Sequence, residues 1–374
     1  MLQHPPARPG MPEDEVDTPA LLIDLDAFEH NLDTMAAKLE GTGVKLRAHA
    51  KTHKSAVVAH RQIARGAVGQ CTQKVGEAEA LAWAGVADIL VSNEVAGASK
   101  LARLAALSGI ARVAVCADDP AHVAAIETAA ADAGVRMTVL VEVDSGGGRC
   151  GVAPGSAVVA LAQRIAASRH LIFGGLQSYH GRAQHLRKPE ERHFAIAAAA
   201  DDTRRSVDML RQQGLACAIV GGAGTGTFEH ELASGVWNEL QAGSYCFMDA
   251  DYGRNLDSRG QPISVFRNAL FVLATVMSAT RPGLSVLDAG HKAVPTDSGM
   301  PLVWQRPEIR YTGASDEHGK LEFSQDFTGP KIGEKLRLVP GHCDPTVDRF
   351  DWYVGMRGSR VECLWPIAAR GAFT

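Results

Sequence analysis

Short apolar runs alternate with alanine-rich stretches over the first two thirds of the chain. The runs have the length and β-branched character of strands, and the stretches between them are long enough for amphipathic helices. Helical stretches lie at 75–84, 120–133, 155–168 and 190–213. The strand-like runs lie at 44–49, 68–72, 89–92, 112–117, 137–143, 171–178, 217–221 and 239–243. Eight strands alternating with helices over about 200 residues predict an α/β fold, namely a (β/α)8 barrel.

A doubly wound open sheet is the alternative for such an alternation. About six strands usually complete such a sheet, and no Gly-x-Gly-x-x-Gly sequence follows the first strand here. Ahead of the alternation, 20–25 has the pattern of a further strand. Asp26 is then placed to cap a helix in which Phe28, Leu32 and Met35 recur at helical spacing. We therefore favour the barrel, preceded by one strand and one helix.

The pattern changes after Asp251. Alanine-rich helical stretches disappear, and glycine and proline interrupt β-type runs at short spacing. These runs lie at 269–278, 284–288, 335–339, 352–357 and 360–366. They predict a second, mostly antiparallel β domain over residues 261–374. Residues 1–260 then form the barrel domain, with a proline-rich N-terminal arm that we expect to join the β domain.

Composition narrows the class of protein. Of the 374 residues 46% are hydrophobic and 21% charged, which is typical of a soluble globular protein. The net charge of -4 gives no reason to expect nucleic acid or an anionic membrane as a partner. The seven cysteines form no Cys-x-x-Cys pair, and no apolar run approaches the roughly 18 residues of a membrane span. We therefore expect a cytoplasmic protein with reduced thiols that acts on a small molecule.

The carboxyl ends of the predicted strands should meet at one rim, where barrel enzymes carry their active sites. The first of these ends carries the basic cluster Arg47–Lys54, with the sequence RAHAKTHK. Lys51, crowded by cations, should have a lowered pKa, and a neutral amine is what a Schiff base with a carbonyl cofactor requires. The alternative is that this cluster is a basic surface turn.

The last two strand ends carry features of a phosphate site. Residues 221–227, GGAGTGT, offer approachable backbone N–H groups at Gly224 and Gly226 and a hydroxyl at Thr225. No Gly-Lys-Ser/Thr follows, so a single phosphate is expected rather than a triphosphate. Gly243, Ser244 and Tyr245, at the neighbouring strand end, can add donors to the same anion. Together with Lys51, this arrangement suggests pyridoxal 5′-phosphate (PLP).

The chain resembles the D-threonine aldolase and 3-hydroxy-D-aspartate aldolase group. These belong to the fold-type III PLP enzymes, whose barrel is that of the alanine racemase N-terminal domain and which include D-serine dehydratase. The resemblance extends from residue 17 to residue 371. It is carried by RAHAKTHK at 47–54, CTQKV at 71–75, VEVD at 141–144, GRCG at 148–151, GLQSYHG at 175–181, ELQAGSY at 239–245 and PGHCDPT at 340–346.

This resemblance implies roles for single residues. Lys51 matches the Schiff-base lysine, Tyr179 the residue that packs on the pyridine ring, and Arg149 the residue near the cofactor phenolate. Gln73 is expected to contact cofactor or substrate. Gln241 falls where alanine racemase has an arginine facing the pyridine nitrogen. Since a neutral amide would not keep that nitrogen protonated, we expect a weakened electron sink and a second catalytic group.

That second group is expected to be a metal held by His342 and Asp344, which point the same way if the backbone there is extended. Related zinc-dependent dehydratases have a cysteine at the 344 position, so an aspartate suggests a harder ion, Mn²⁺ or Mg²⁺. Cys343 should then point away from the metal. Asp316 and His318 are candidates for supporting the ligands, or they form an ordinary turn. The alternative is a loop whose His342 and Asp344 bond only to backbone.

The expected reaction is metal-activated retro-aldol cleavage of a D-3-hydroxy amino acid to glycine and an aldehyde. D-threonine, D-phenylserine and 3-hydroxy-D-aspartate are all possible substrates. His49, His53 and His180 are candidate acid–base residues. The closest rival is a PLP- and metal-dependent dehydratase of D-serine or 3-hydroxyaspartate. Three further polar residues, Arg182, His185 and Arg187, lie beyond the strand at 171–178. They either meet a second substrate carboxylate or begin a solvated helix. The resemblance also implies a homodimer.

Overall fold

The structure, a computed structural model, describes residues 4–374 and begins its regular elements with strand β1 (Ala20–Asp24) and helix α1 (Leu25–Leu39). The Asp24 carboxylate caps this helix by accepting a hydrogen bond from the Ala27 amide at 3.0 Å. Asp26, predicted as the cap, instead lies in the first helical turn. The cap lies two residues earlier than predicted because the strand already ends at Asp24.

A closed barrel of eight parallel strands follows. Each strand pairs with the next one along the chain, and the last pairs with the first, where Glu239 lies beside Lys45. The predicted (β/α)8 barrel is confirmed, and each predicted strand overlaps an observed one. Strands β2 to β9 are Lys45–His49, Gly69–Thr72, Asp88–Glu94, Arg112–Ala117, Met137–Glu142, Leu171–Ser178, Ile219–Gly222 and Glu239–Leu240.

Helices surround the barrel because one face of each is apolar. The helix between the third and fourth barrel strands, for example, buries Leu101, Leu104 and Ala105, which recur at the three- and four-residue spacing of a helical face. Cys71 and Leu140 belong to a small apolar cluster formed by neighbouring barrel strands. Helices α2 to α8 are Ala56–Ile63, Val75–Trp83, Ala98–Leu107, Pro120–Asp132, Ser156–Ala166, Pro189–Gln212 and Phe228–Ser234.

A nine-stranded sheet forms the second unit of the fold, and a short helix α9 (Cys343–Val347) follows its strand β15. The strand order is β11-β14-β13-β12-β15-β10-β1-β16-β17. Its pairs are antiparallel except for β1 with β16, so the prediction of a mostly antiparallel β domain is confirmed. Strands β10 to β17 are Leu270–Arg281, Leu284–Leu287, Leu302–Val303, Arg310–Ala314, Gly319–Glu322, Lys335–Val339, Trp352–Arg357 and Arg360–Pro366.

Strands β12, β13 and β14 were not predicted from the sequence. They have two, five and four residues, and their polar and glycine residues hide the apolar alternation that marks a strand. The N-terminal segment also packs on this sheet, where the Gly10 amide donates to the Val361 carbonyl at 2.8 Å and Glu13 pairs with Arg337. Within residues 4–374 no helix combines the length and apolar character needed to cross a lipid bilayer.

Candidate active site

A cavity lies where the carboxyl ends of the barrel strands meet the segment between β15 and β16. It brings together most of the site residues predicted from the sequence, although they are spread over nearly three hundred positions. Its wall does not contain Gly226 or Tyr245. The lining residues are His49, Lys51, Thr52, Gln73, Ser92, Arg149, Gln177, Tyr179, His185, Ala223, Gly224, Thr225, Gln241, Gly243, Ser244, Tyr252, His342 and Asp344.

Lys51 lies in a short 3-10 turn, Ala50–Thr52, directly after β2. Its side-chain nitrogen is 3.6 Å from Asp344 Oδ2. Burial is the largest single influence and would lower the pKa of Lys51, but the charge and hydrogen bond of Asp344, together with Tyr179, raise this pKa overall. The prediction that neighbouring cations lower this pKa is therefore wrong, because the charge closest to the amine is an anion.

Arg47 and Lys54, the other cations of the basic cluster, are buried and neutralised by carboxylates. Arg47 is 5% exposed and donates to Glu239 Oε1 at 2.7 Å. Lys54 is 6% exposed and its ammonium lies 2.8 Å from Glu77 Oε1. The cluster is therefore not a basic surface turn. Its two buried cations are each paired with carboxylates from other elements of the fold.

His49 is a buried, neutral contact of the cavity. Its Nε2 is 2.8 Å from the side-chain nitrogen of Gln73 and 3.2 Å from the Ser92 hydroxyl, and its Nδ1 accepts from the Lys51 amide at 3.4 Å. Burial, and then the Lys51 charge, lowers the pKa of His49 well below its usual range. His49 and Gln73 thus form a neutral hydrogen-bonded side of the cavity beside Lys51.

His53 and His180 do not line the cavity. His53 is fully buried, with Nε2 3.3 Å from Gln70 Oε1 and Nδ1 accepting from the Ser55 amide at 3.1 Å. His180 lies against Gly146, where an added Cβ would come within 2.8 Å of the imidazole. The structure therefore does not place either side chain to exchange protons with a ligand in the cavity.

His185 is the cavity histidine that the sequence did not single out as an acid or base. Its Nδ1 is 2.5 Å from Asp251 Oδ2, and its ring stacks on Tyr252 with centroids 5.8 Å apart. Arg187 also donates to Asp251, at 2.5 Å. Although burial opposes it, these hydrogen bonds lower the pKa of Asp251. Arg187 is thus engaged by a carboxylate of the chain itself, and His185 keeps Nε2 available.

Arg149 and Tyr179 lie side by side in the wall. The guanidinium carbon is 6.0 Å from the centre of the Tyr179 ring. On its other side Arg149 is 3.8 Å from Glu142 Oε1. The pair therefore presents a flat aromatic surface with a fixed cation beside it.

Gln241 pairs with Gln177, a residue that the sequence did not indicate. Each side-chain nitrogen donates to the other amide's oxygen at 2.8 Å. Both residues are almost fully buried, at 4% and 3% exposed. The two-way bond fixes a neutral amide in the cavity wall, as the sequence suggested for Gln241.

The glycine-rich loop after β8 contributes Gly224 and Thr225 to the wall. The Thr225 hydroxyl is buried and has no hydrogen-bond partner within residues 4–374. A Cβ on Gly224 would lie 2.4 Å from Gln184 Oε1, so only glycine allows the loop to approach this closely. The Gly226 amide donates to the same Gln184 oxygen at 3.0 Å. Gly226 is therefore already bonded within the protein, whereas Thr225 lacks a partner.

Gly243 and Ser244 line the cavity from the next loop, but Tyr245 does not. A Cβ on Gly243 would lie 2.6 Å from Thr52 Oγ1. The Tyr245 side chain is 1% exposed and packs on Phe266, with ring centroids 5.5 Å apart. The 3-10 turn Ser244–Cys246 directs consecutive side chains to different sides, which removes this hydroxyl from the predicted anion site.

His342 and Asp344 face each other in the cavity wall, with Nε2 and Oδ2 3.9 Å apart. His342 is the N-cap of α9, so the backbone continues into a helical turn instead of the extended chain assumed from the sequence. Asp249 Oδ2 is 3.1 Å from His342 Nδ1, and the Thr52 hydroxyl donates to Asp344 Oδ1 at 2.9 Å. These contacts leave His342 Nε2 and Asp344 Oδ2 for an ion.

Asp249 is a supporting residue that the sequence did not indicate. It is fully buried and accepts hydrogen bonds from the Cys343 amide at 3.0 Å and the Tyr252 amide at 2.9 Å. A carboxylate in the otherwise apolar segment 246–250 was the available signal, because buried carboxylates need partners. The Cys343 thiol contacts the Met248 carbonyl at 3.4 Å, away from Asp344, as predicted.

Asp316 and His318, the predicted candidates for supporting the metal ligands, do not reach the cavity. Both are exposed in the turn between β13 and β14, where the Ser315 amide donates to the His318 carbonyl at 2.9 Å. Of the two interpretations kept open for them, the ordinary turn describes this geometry.

Comparisons with known proteins relate both the barrel part and the β-domain part of the chain to known families. The "Alanine racemase, N-terminal domain" family matches residues 23–251, and the "Putative serine dehydratase domain" family matches residues 269–356. The 3-hydroxy-D-aspartate aldolase of Paracoccus denitrificans strain Pd 1222 is 47% identical over 98% of this chain and 95% of that protein. The D-threonine aldolase of an Arthrobacter species is 46% identical over 98% of this chain and 96% of that protein.

Solved structures agree with these relatives. The crystal structure of D-threonine aldolase from Filomicrobium marinum superposes with a TM-score of 0.96 at 50% identity, covering 99% of this chain and 100% of that one. The D-threo-3-hydroxyaspartate dehydratase of Delftia sp. strain HT23 is more distant, at 30% identity over 94% of this chain and 97% of that protein. Solved variants of that dehydratase replace a histidine or a cysteine by alanine, and one cysteine variant is described as metal-free.

Proposed function

The chain belongs to the alanine racemase N-terminal domain family and, within it, to the D-threonine and 3-hydroxy-D-aspartate aldolases, and we propose that it cleaves D-3-hydroxy amino acids to glycine and an aldehyde. It is a carbon–carbon lyase that uses PLP and a divalent metal. The observation that carries this proposal is the meeting of Lys51 with His342 and Asp344 in one cavity, with Lys51 Nζ 3.6 Å from Asp344 Oδ2.

The residues of the cavity fit PLP. The unpartnered buried hydroxyl of Thr225 and the close approach that Gly224 and Gly243 permit suit a phosphate group. Lys51 would hold the cofactor's carbonyl carbon, and Tyr179 would support its ring. When bound, PLP supplies a sink for the electrons of the broken Cα–Cβ bond.

Gln73, Arg149, Gln241 and Ser244 complete the proposed cofactor contacts. Arg149 offers a positive charge next to Tyr179, where a phenolate could be bound. Gln241 offers only a neutral amide, already bonded to Gln177. The ring nitrogen would therefore gain no charged partner, and the remaining stabilisation must come from elsewhere in the cavity.

His342 Nε2 and Asp344 Oδ2 would hold the metal, and one imidazole with one carboxylate leaves positions for water and substrate. Their donor set suits Mn²⁺ or Mg²⁺. A bound divalent ion lowers the pKa of a hydroxyl that it contacts. Asp249 fixes the His342 ring through Nδ1, and Thr52 fixes the Asp344 carboxylate, so both donors are oriented before an ion arrives.

We assign to His185 the movement of the substrate hydroxyl's proton. It lines the same cavity, and its Nδ1 is held by Asp251. A carboxylate in that position orients the imidazole and stabilises the cation formed when Nε2 accepts a proton. His49 is buried and neutral beside Lys51, so we assign it a positioning contact to Gln73.

A dehydratase on the same scaffold is the rival function. It would remove the Cα proton and expel the hydroxyl, giving ammonia and a keto acid. Asp344 favours the aldolase, since the resemblance places a cysteine there in the zinc-dependent dehydratases. The lower identity to the Delftia dehydratase agrees with this choice.

The deciding experiment supplies D-threonine and 3-hydroxy-D-aspartate to the purified enzyme, with and without Mn²⁺, and measures glycine, aldehyde and ammonia. We expect glycine and aldehyde in equal amounts, abolished by EDTA and restored by Mn²⁺. Ammonia and a keto acid would instead identify the dehydratase. The same assay also compares the two substrate side chains, a methyl group and a carboxylate. Arg187 is engaged by Asp251 and is therefore not available to pair with a second substrate carboxylate.

We also propose that the enzyme is a cytoplasmic homodimer. All seven cysteines are free, which suits a reducing compartment. Exposed apolar side chains such as Met300 and Leu302 on the β domain and Phe194 on the barrel offer surface for a second copy. Light scattering should give twice the chain mass of 39.6 kDa.

A further inference from the structure

A second group of metal-ligating side chains lies at the ends of three neighbouring barrel strands. Glu94 ends β4, Asp118 follows β5, and Glu142 ends β6, while Cys150 lies in the glycine-rich loop after β6. One donor atom from each of Glu94, Asp118 and Cys150 lies within 4.8 Å of the other two. None of these four residues has a role in the function proposed above.

The backbone directs these side chains toward one another. The pairing of β4 with β5 shifts register between Val91 and Glu94, and such an irregularity changes the direction of a side chain at a strand end. Asp118 is held on both oxygens, with Oδ1 2.9 Å from His122 Nδ1 and Oδ2 accepting from the Gly151 amide at 3.0 Å. Each carboxylate oxygen can accept a second partner, so these bonds orient Asp118 and leave acceptor positions on it available.

The other carboxylates lack the partners that buried charges require. Both Glu94 oxygens and Oε2 of Glu142 are buried without a hydrogen-bond donor within residues 4–374. Glu142 is 5% exposed, and its remaining oxygen is 3.8 Å from Arg149, beyond hydrogen-bonding distance. Buried carboxylates without partners are strongly unfavourable, so this corner needs either protons or a cation.

Protonation would satisfy the unpartnered oxygens of Glu94 and Glu142 only in part. A proton shared between Glu94 and Glu142 still leaves several lone pairs of the cluster without donors. A metal ion binds several donors at once and deprotonates a coordinating thiol outright.

We propose that Glu94, Asp118 and Cys150 form a second metal site that binds Zn²⁺, with the carboxylate of Glu142 beside it. Thiolate and carboxylate are both zinc donors, and at Zn–S of about 2.3 Å and Zn–O of about 2.0–2.2 Å the three donors, now within 4.8 Å of one another, would draw together around one ion. The His342–Asp344 corner contains no sulfur, so the two sites differ in metal preference.

The site acts on the structure of the cavity and takes no part in the reaction itself. Cys150 directly follows Arg149, so an ion that ties Cys150 to the ends of β4 and β5 also fixes the loop that carries this arginine. The proposal does not depend on the identity of the substrate. Loss of the zinc ion should loosen the 145–151 loop while leaving His342 and Asp344 unchanged.

The first test measures bound zinc in holoenzyme that has been treated with chelator, reloaded with Zn²⁺ and desalted. We expect two equivalents per chain for the wild type and one each for His342→Ala and Cys150→Ser. Cys217→Ser, which changes a half-buried cysteine outside the cluster, should keep two equivalents. Equal zinc content in the wild type and in Cys150→Ser would overturn the proposal.

The second test uses Co²⁺, because a cobalt–thiolate bond absorbs in the near ultraviolet. The difference spectrum on adding Co²⁺ should show this band in the wild type and in His342→Ala, and should lack it in Cys150→Ser. Glu94→Gln should lose the same equivalent, which provides a second variant if Cys150→Ser does not fold. A cobalt band that survives Cys150→Ser would assign the sulfur ligand elsewhere and refute the site.

Discussion

The active-site cavity has two walls that are built differently. The barrel wall, with Lys51, Tyr179 and the glycine loops, is formed by strand ends that a regular alternation of elements brings to one rim. The β-domain wall, with His342 and Asp344, depends on hydrogen bonds to Asp249 and Thr52, which are 93 and 292 positions away from their partners. The first wall is set by backbone topology and the second by individual side chains.

This difference implies that cofactor binding and metal binding should be lost independently of each other. Removing a residue of the barrel wall should affect the cofactor and leave metal binding intact, whereas a change behind the β-domain wall should do the reverse. The 3.6 Å contact between Lys51 and Asp344 is where they meet. The following substitutions test that separation.

Lys51→Ala should have the largest effect. We expect turnover to fall by about 10³-fold or more, because groups that act as a unit in covalent catalysis cannot be replaced singly. The visible absorbance of bound PLP should disappear, while calorimetry should still show Mn²⁺ binding at His342 and Asp344. Lys45→Ala, at an exposed lysine that begins the strand preceding Lys51, is the matched control. Retained cofactor absorbance in Lys51→Ala would disprove its assignment.

Asp249→Asn should break the β-domain wall alone. The substitution keeps the shape of the side chain but removes the charge that orients His342, and changes behind a metal ligand cost roughly 10–100-fold in metal affinity or activity. Titration with Mn²⁺ should show weaker binding, with the PLP spectrum unchanged. Asp316→Asn in the exposed β13–β14 turn should behave as the wild type. Equal metal affinity in both variants would remove Asp249 from the site.

Gln241→Glu should alter the barrel wall more subtly. A carboxylate near the pyridine nitrogen would favour its protonated form, and one pKa unit there corresponds to roughly a tenfold change in the ratio of protonated to neutral ring. Substrate-bound enzyme should show a changed long-wavelength absorbance. Gln177→Glu, which places the charge on the other member of the pair, distinguishes position from charge. An unchanged spectrum and rate for Gln241→Glu would count against the neutral-amide hypothesis.

His53 should affect stability below neutral pH and leave catalysis at neutral pH unchanged. Burial lowers the pKa of His53 from 6.5 to about 4, so the native protein binds fewer protons than the unfolded chain between these values. The contribution of His53 to the free energy of unfolding is therefore fully present above pH 6.5. It is lost as the pH falls towards 4, by up to about 3 kcal/mol.

Denaturant unfolding of wild type and His53→Gln across this pH range measures that loss. The variant should start less stable at neutral pH, since the bonds to Gln70 and the Ser55 amide are disturbed, and should then change less on acidification. His318→Gln, in an exposed turn, should follow the wild-type curve. Parallel curves for wild type and His53→Gln would show that His53 does not contribute.

The sequence by itself determined the barrel, the rim and the identity of its main chemical groups. Each barrel strand can be predicted from its own apolar run and from the residues that flank it. The positions of Lys51 and the 221–227 loop then follow, because both come directly after predicted strands. The same local logic failed for β12, β13 and β14, which are too short and polar to show a period. Family resemblance, not periodicity, indicated His342 and Asp344.

Only the tertiary structure decided how those groups are partnered. It placed Asp344 beside Lys51 and so raised the pKa that the basic cluster seemed to lower, and it turned Tyr245 into the core. It also supplied Asp249 behind His342 and Asp251 behind His185. The reason is physical: a period along the chain reports which face of an element is buried, whereas charge and hydrogen bonding depend on which distant atoms arrive within about 3 Å.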